Sequence, residues 1–150
     1  VRKSIVIIGS GFLGSEAAAS IKMHYKDNLD VHMIGLEEYP LEIALGKEVG
    51  KMYQAQHIEH GVKLHMGKGI KEITQDSNGN ATGVVLSDGT VIDAELIIVG
   101  TGVKPATEFL ARNETGIKTD RMGAIVCDPF LQSTVPDIYA AGDVCSYPYW

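Results

Sequence analysis

The chain has 150 residues, of which 45% are hydrophobic, and its formal net charge at pH 7 is −6. This length and composition are typical of one globular domain with a core of its own. A chain with this excess of acidic residues does not provide the basic surface that binds nucleic acid. No apolar run approaches the roughly 18 residues of a membrane-spanning helix.

The N-terminal part of the sequence alternates predicted strands with predicted helices. Buried runs rich in β-branched residues predict strands at 3–8, 30–35 and 62–66, and helical spacing predicts helices at 14–25 and 43–61. A strand–helix–strand–helix–strand order is the half-unit of an open parallel sheet. The sequence therefore predicts an α/β fold with a Rossmann-like sheet.

The pattern changes after the third predicted strand. Two turn signals, Asn78-Gly79 and Asp88-Gly89, separate runs of alternating polarity, which is typical of antiparallel hairpins. We expect this segment to lie on the sheet as an antiparallel excursion. The run at 94–100 then returns to the sheet as a fourth parallel strand.

The C-terminal part of the sequence lacks the regular alternation of strands and helices. Beyond Pro105 the sequence predicts a short helix at 106–112 and strands at 123–128 and 137–143. These few elements are too small to form a core of their own. We therefore expect one domain at residues 1–106 and a short α+β fragment of a second domain at residues 107–150.

Three glycines follow the first predicted strand and open the first predicted helix. In such a turn Gly9 permits the tight bend, Gly11 lets the backbone approach a pyrophosphate, and Gly14 lets helix and strand pack closely. The helix start presents N–H groups and the positive end of its dipole to phosphates. The motif predicts dinucleotide binding, and a purely structural glycine-rich turn is the alternative.

Acidic residues flank this motif. Glu16, just after the glycines, is either a first-turn carboxylate that stabilises the helix dipole or one aimed at the reactive end of the nucleotide. An acid roughly 20 residues further on is expected to bind ribose hydroxyls and repel a 2′-phosphate. Gly35 occupies the predicted strand end and Glu37 and Glu38 follow, with no arginine nearby. We therefore expect this acidic segment to favour NADH over NADPH; a solvated acidic loop is the alternative.

No motif predicts a metal site or a redox dithiol. Cys127 and Cys145 form no CxxC and lie near no histidine pair at zinc spacing. We expect both to be small apolar residues and leave their pairing open. His57 and His60 are spaced as on one helix face, where a surface position is expected.

The segment IVIIGSGFLGSEAAASIK, residues 5–22, resembles the NAD-domain signature of the two-dinucleotide-binding flavoprotein reductases, the pyridine nucleotide-disulphide oxidoreductase superfamily. It is most similar to the branch of apoptosis-inducing factor and of the ferredoxin- and rubredoxin-type reductases. That branch often reads G-x-G-F-I-G-x-E, and Leu13 replaces its isoleucine. After the second strand its members often read Gly or Ser, an apolar residue and Glu, as Gly35-Leu36-Glu37 does, so the resemblance implies that Glu37 binds the adenosine ribose. The resemblance implies that Phe12 and Leu13 belong to the cofactor-binding turn, and that Glu16 lies in the catalytic site beside the nicotinamide carboxamide.

Two further segments resemble the same superfamily. LIIVGTGVKPAT, residues 96–107, is similar to a strand and turn whose glycines, here Gly100 and Gly102, pass close to the nicotinamide. TVPDIYAAGDV, residues 134–144, resembles the second flavin motif. There Asp143 would bind the ribityl chain of FAD from a strand end, and Gly142 would keep the backbone clear.

The resemblance implies that the chain is the NADH-binding part of an FAD-dependent oxidoreductase. NADH would pass a hydride to FAD, and electrons would leave for an iron–sulfur protein or a quinone. The rest of the FAD domain and an interface domain would lie outside the chain, which alone would be inactive. A non-catalytic reductase-like binding module is one alternative. A flavin disulfide reductase with its cysteines in the absent half is another.

The resemblance leaves two properties open. It does not decide the oligomeric state, a homodimer included. It also does not decide between a mitochondrial and a cytoplasmic location.

Overall fold

The computed structural model describes residues 3–111 and 114–148, so the predicted helix end at Arg112 lies outside the described residues. The chain divides into two compact units between Gly102 and Val103. The assignment of residues 1–106 to an NAD-binding domain and of 107–150 to an FAD-domain fragment stays a prediction.

The helices and strands have the following bounds. The first unit contains strands β1 (Lys3–Ile8), β2 (Leu29–Gly35), β3 (Val62–Met66), β4 (Ile70–Gln75), β5 (Ala81–Leu86), β6 (Val91–Asp93) and β7 (Leu96–Val99), and helices α1 (Phe12–Tyr25), α2 (Glu42–Leu45) and α3 (Lys47–Glu59). A 3-10 helix at Lys26–Asn28 joins α1 to β2. The second unit contains α4 (Glu108–Ala111), β8 (Ile125–Val126) and β9 (Cys145–Ser146).

A four-stranded parallel sheet organises the first unit. Its strand order is β3-β2-β1-β7, and every neighbouring pair runs parallel. The central strand β1 is apolar from Ile5 to Ile8, as expected for a strand that is covered on both faces. Beneath α1 lies a cluster formed by Ile5, Ile7, Ala18, Val31, Met33 and Val62. The predicted Rossmann-like α/β fold is confirmed.

The antiparallel excursion covers the other face of this sheet. Strands β4, β5 and β6 form a separate three-stranded sheet in that order. Its apolar side packs on the parallel sheet through Val6, Ile34, Val84, Leu86, Ile92 and Ala94. Both hairpin turns contain a glycine at positive φ, Gly79 at +84° and Gly89 at +87°, as the Asn-Gly and Asp-Gly signals predict.

The single helix predicted at 43–61 is wrong. The segment forms two helices, α2 and α3, because Gly46 adopts a φ of +81° between them. A glycine in the left-handed region ends a helix by satisfying the carbonyls of its last turn, and the Gly46 N–H donates to the Glu42 carbonyl at 2.8 Å.

Helix α3 buries a glycine and a histidine and leaves several larger apolar side chains exposed. Gly50 and His57 are its buried residues, whereas Val49, Met52 and Ile58 are 37–56% exposed. Gly50 is buried because a side chain there would meet Tyr39 and Pro40. The surface position expected for His57 is therefore wrong.

The strand predicted at 137–143 is wrong as well. Tyr139 forms only an isolated bridge to Gln132. Extended backbone is interrupted at Asp137, with φ +63°, and at Gly142, with φ +81°. The strand pairing parallel to β8 is β9, which begins after the motif.

The two cysteines lie in the second unit as free thiols. Cys127 is buried and Cys145 is half-buried. Burial raises the pKa of the Cys127 thiol, which keeps it protonated and unreactive at neutral pH.

Residues 3–111 and 114–148 contain neither a membrane-spanning helix nor a cluster of metal ligands. No helix in these ranges has the length and apolarity to cross a membrane. The same residues bring together no group of three or more His, Cys, Asp or Glu side chains suited to hold a metal ion.

A pair of histidines joins β2 to β3. His32 Nδ1 lies 2.9 Å from His65 Nε2, and the two rings stack with centroids 5.2 Å apart. Burial, assisted by the charges of His65 and Lys63, lowers the pKa of His32 from 6.5 to about 4. Burial also lowers the pKa values of His57 and His65.

These depressed pKa values predict that acid destabilises the fold. The unfolded chain protonates His32 near pH 6.5 and the folded chain only near pH 4, so between these values the unfolded state binds more protons. The free energy of unfolding should be at its full value above pH 6.5 and fall as the pH drops to 4. Urea unfolding at several pH values measures this slope. We expect His32→Asn to reduce it.

His24 supplies the matched control for this experiment. It is an exposed histidine in the last turn of α1, and His24→Asn should change the pH slope less than His32→Asn does. An unchanged slope in the His32→Asn variant would contradict the prediction.

Candidate functional site

The glycine turn lies at the carboxyl end of β1, between the ends of β2 and β7. The Gly9 N–H donates to the Ile34 carbonyl, and the Gly100 N–H donates to the Ile8 carbonyl, each at 2.8 Å. The chain runs from β1 toward β2 and β3 on one side and returns as β7 on the other. Ligands of open α/β sheets bind in the crevice at such a reversal of strand order.

Two of the glycines are required by close backbone approach. A side chain at Gly9, whose φ is +113°, would collide with the Gly100 carbonyl. A side chain at Gly14 would collide with the Gly9 carbonyl. The start of α1 therefore lies directly against the ends of β1 and β7.

Gly11 has the opposite surroundings. No atom lies within 4 Å of the position that its side chain would occupy, and no side chain caps the helix that begins after it. The first N–H groups of a helix have no carbonyl one turn earlier to bond. The space beside Gly11 at this helix start is open, and the side chains of Phe12 and Leu13, which follow it, are exposed. This geometry suits an anionic group such as a phosphate.

Gly100 and Gly102 follow β7 beside the same turn. A side chain on Gly100 would stand 3.6 Å from the Gly14 nitrogen. Gly102 has a φ of +114°, and the space around it is open. Contacts of these glycines with a nicotinamide stay a prediction.

Glu16 lies on the exposed side of α1. The expectation that it belongs to the first turn is wrong, because the helix begins at Phe12 and Glu16 is its fifth residue. The dipole effect falls off within the first turn, so it accounts poorly for this acid. Its carboxylate has no hydrogen-bond or ion-pair partner among the described residues. The predicted role beside the nicotinamide stays a prediction.

The two acids after β2 point in different directions. Glu37 is half-buried and turns back to the glycine turn, where it accepts a hydrogen bond from the Ser10 hydroxyl at 2.8 Å. Glu38 is exposed and pairs with Lys47 at 2.8 Å. The hydrogen bond from Lys47 lowers the pKa of the Glu38 carboxyl. Only Glu37 therefore lies at the candidate site.

Sequence reasoning did not single out Ser10. Its side chain is 3% exposed, and it fills the space that a side chain on Gly35 would need. The available signal was a hydroxyl residue inside the glycine turn, together with a glycine at the end of β2. The sequence does not show that these two residues are neighbours, because their contact depends on the pairing of β1 with β2.

Gly142 and Asp143 lie in the second unit. Both are exposed, and they form a tight turn in which the Cys145 N–H donates to the Gly142 carbonyl at 3.2 Å. The prediction that a strand end carries Asp143 is wrong, since Asp143 precedes β9. Its binding to FAD stays a prediction.

Comparison with known proteins shows the family of the chain. A model of the family described as pyridine nucleotide-disulphide oxidoreductase matches residues 1–149. Rhodocoxin reductase of Rhodococcus erythropolis is 37% identical over 145 residues, which are 97% of this chain and 32% of that protein. Human apoptosis-inducing factor 3 is 34% identical over 148 residues, which are 97% of this chain and 23% of that protein.

A solved structure matches the same share of this chain. The ferredoxin reductase for the CYP199A2 system from Rhodopseudomonas palustris superposes with a TM-score of 0.87 at 32% identity, over 97% of this chain and 34% of that one. The chain thus spans about a third or less of the proteins that it matches.

The close approach at Gly14 yields a stability prediction. Gly14→Ala forces two backbone segments apart, and we expect it to lower the free energy of unfolding by about 1–3 kcal/mol, as overpacking does. Gly11→Ala is the matched control, because it meets open space. It should cost less than about 1 kcal/mol, the difference between glycine and alanine as a helix N-cap. Urea unfolding measures both, and equal losses would contradict the prediction.

Proposed function

The chain belongs to the pyridine nucleotide-disulphide oxidoreductase family, and on that premise we propose that it is the NADH-binding part of an FAD-dependent oxidoreductase. NADH supplies a hydride and FAD accepts it, and electrons then pass to a separate acceptor. The observation that carries the proposal is the open, uncapped start of α1 beside Gly11, with the Glu37 carboxylate held at its side.

The glycine turn is proposed to bind the pyrophosphate. The N–H groups at the start of α1 would donate to phosphate oxygens, and the helix dipole adds attraction to the negative charge. The bare backbone of Gly11 leaves room for the phosphates to approach. Gly9 and Gly14 contribute by allowing β1, β7 and α1 to meet at this point.

Glu37 is proposed to bind the adenosine ribose. Its carboxylate lies beside the glycine turn through its bond to Ser10, and a carboxylate accepts hydrogen bonds from ribose hydroxyls. The same negative charge repels a 2′-phosphate. NADH is therefore the preferred nucleotide and NADPH the weaker one.

The nicotinamide end is assigned to the other side of the turn. Glu16 would accept a hydrogen bond from the carboxamide and so orient the ring, and Gly100 and Gly102 would let the ring pass the backbone of the β7 turn. Glu16 is exposed and unpaired within the described chain, so its carboxylate is available. Asp143, exposed in the second unit, is proposed to bind a hydroxyl of the FAD ribityl chain.

The acceptor is proposed from the relatives. A ferredoxin reductase is among the matching structures, and rhodocoxin reductase is among the matching sequences. An iron–sulfur protein is therefore the first choice for this protein, and a quinone is the second.

The test uses the full-length protein. Purified protein should contain FAD, and NADH added without oxygen should bleach the flavin absorbance and then reduce an added ferredoxin. Protein without flavin would support the non-catalytic binding module. Reduction of a disulfide substrate but not of ferredoxin or quinone would support a flavin disulfide reductase.

Glu37 yields a prediction about coenzyme choice. We expect the full-length protein to bind NADH at least about tenfold more tightly than NADPH, a difference of about 1.4 kcal/mol. Glu37→Gln should weaken NADH binding and narrow this ratio, because it removes the charge that repels the 2′-phosphate. Calorimetric titration with each nucleotide measures the change.

Glu38→Gln is the matched control for this prediction. It removes the neighbouring acid, whose carboxylate is bound by Lys47, and should leave both affinities unchanged. Equal effects of the two substitutions would reject the role of Glu37.

A further inference from the structure

Ser10 connects the glycine turn to the loop that follows β2. Its hydroxyl donates to Glu37 Oε2 at 2.8 Å, and its side chain is 3% exposed. A buried hydroxyl without a partner is costly, and a hydrogen bond to an ionised carboxylate is about twice as strong as one between neutral groups. The Ser10–Glu37 bond therefore fixes one oxygen of the carboxylate.

The space for this bond exists because Gly35 has no side chain. A Cβ at Gly35 would collide with the Ser10 side chain and stand 2.9 Å from Met66 Cε. The end of β2 thus carries no acid of its own. The carboxylate at the site comes from two residues further along and is returned to the turn by Ser10.

The backbone of the loop is held from two sides. The Leu41 N–H donates to the Ser10 carbonyl at 2.9 Å, and the Gly67 N–H donates to the Glu37 carbonyl at 2.8 Å. Pro40 and Leu41 are buried. With its main chain fixed, the remaining freedom of Glu37 lies in its own side chain, and Ser10 restricts that freedom.

We propose that Ser10 is a positioning residue that sets the nucleotide preference of the site. By occupying Glu37 Oε2, it leaves Oε1 free to accept a hydrogen bond from the adenosine ribose. It also keeps the negative charge where a 2′-phosphate would lie. Without Ser10, the carboxylate rotates toward solvent and discriminates less between NAD⁺ and NADP⁺. The inference rests on the proposed function, since it assumes that the glycine turn binds these nucleotides.

The experiment compares Ser10→Ala with Ser15→Ala in the full-length protein. Ser15 is a buried serine in the same segment. Its hydroxyl donates to the Ser10 carbonyl at 3.4 Å and not to Glu37. Calorimetry with the oxidised nucleotides NAD⁺ and NADP⁺ gives both dissociation constants without turnover. Ser10→Ala should weaken NAD⁺ binding by about tenfold, the order expected for a lost bond to a charged group, and leave NADP⁺ within about twofold. Ser15→Ala should change neither.

A double-mutant cycle separates positioning from general structure. In a Glu37→Gln background, Ser10→Ala should have no further effect on the NAD⁺ to NADP⁺ ratio, because the two residues act through one bond. Glu37→Asp is a second variant that keeps Ser10 and the charge but withdraws the carboxylate from its reach. Glu37→Asp should lower the ratio of NAD⁺ to NADP⁺ affinity, as Ser10→Ala does. It therefore still tests the inference if the Ser10→Ala variant does not fold.

The outcomes distinguish this inference from the proposed function. Equal weakening of NAD⁺ and NADP⁺ in Ser10→Ala, or an effect that persists in Glu37→Gln, overturns the positioning role. A preference lost in Glu37→Gln but kept in Ser10→Ala and Glu37→Asp also overturns it, while the role of Glu37 stands. A wild-type protein that binds neither nucleotide overturns both.

Discussion

The first unit depends on two adjoining backbone approaches, that of Gly9 to the carbonyl of Gly100 and that of Gly14 to the carbonyl of Gly9. Both approaches are closer than any side chain allows. They bring the carboxyl end of β1, the end of β7 and the start of α1 to one point. The uncapped start of α1 thereby opens onto the crevice where the strand order reverses. The fold and the candidate site therefore have the same physical cause.

Everything else at the site is arranged around that point. The two faces of β1 are covered by different layers, α1 on one and the antiparallel sheet on the other, so its position is fixed by packing. The loop after β2 is then joined to the glycine turn by hydrogen bonds from Leu41 and Ser10. A rigid turn with an attached carboxylate is a pre-organised receptor, and pre-organisation reduces the free energy lost on binding.

Local patterns predicted the parts of the fold whose cause is local. The strand at 3–8 and the two hairpin turns at Gly79 and Gly89 were predicted correctly because apolar runs and Asn-Gly or Asp-Gly signals act over a few residues. The continuous helix at 43–61 failed, since Gly46 takes a positive φ that helical spacing does not reveal. The strand at 137–143 failed for a related reason, because positive φ values at Asp137 and Gly142 interrupt an apolar run.

The sequence by itself determined the glycine spacing, the α/β order and the presence of acids after β2, because these follow from residue type and position along the chain. Tertiary structure alone decided how the expected acid, Glu37, reaches the glycine turn and why its neighbour Glu38 does not. Glu37 and Glu38 are adjacent and chemically identical, yet one bonds Ser10 and the other Lys47. That choice depends on the parallel pairing of β1 with β2 and on the space left by Gly35. Contacts between residues distant in sequence set it, and no local pattern contains them.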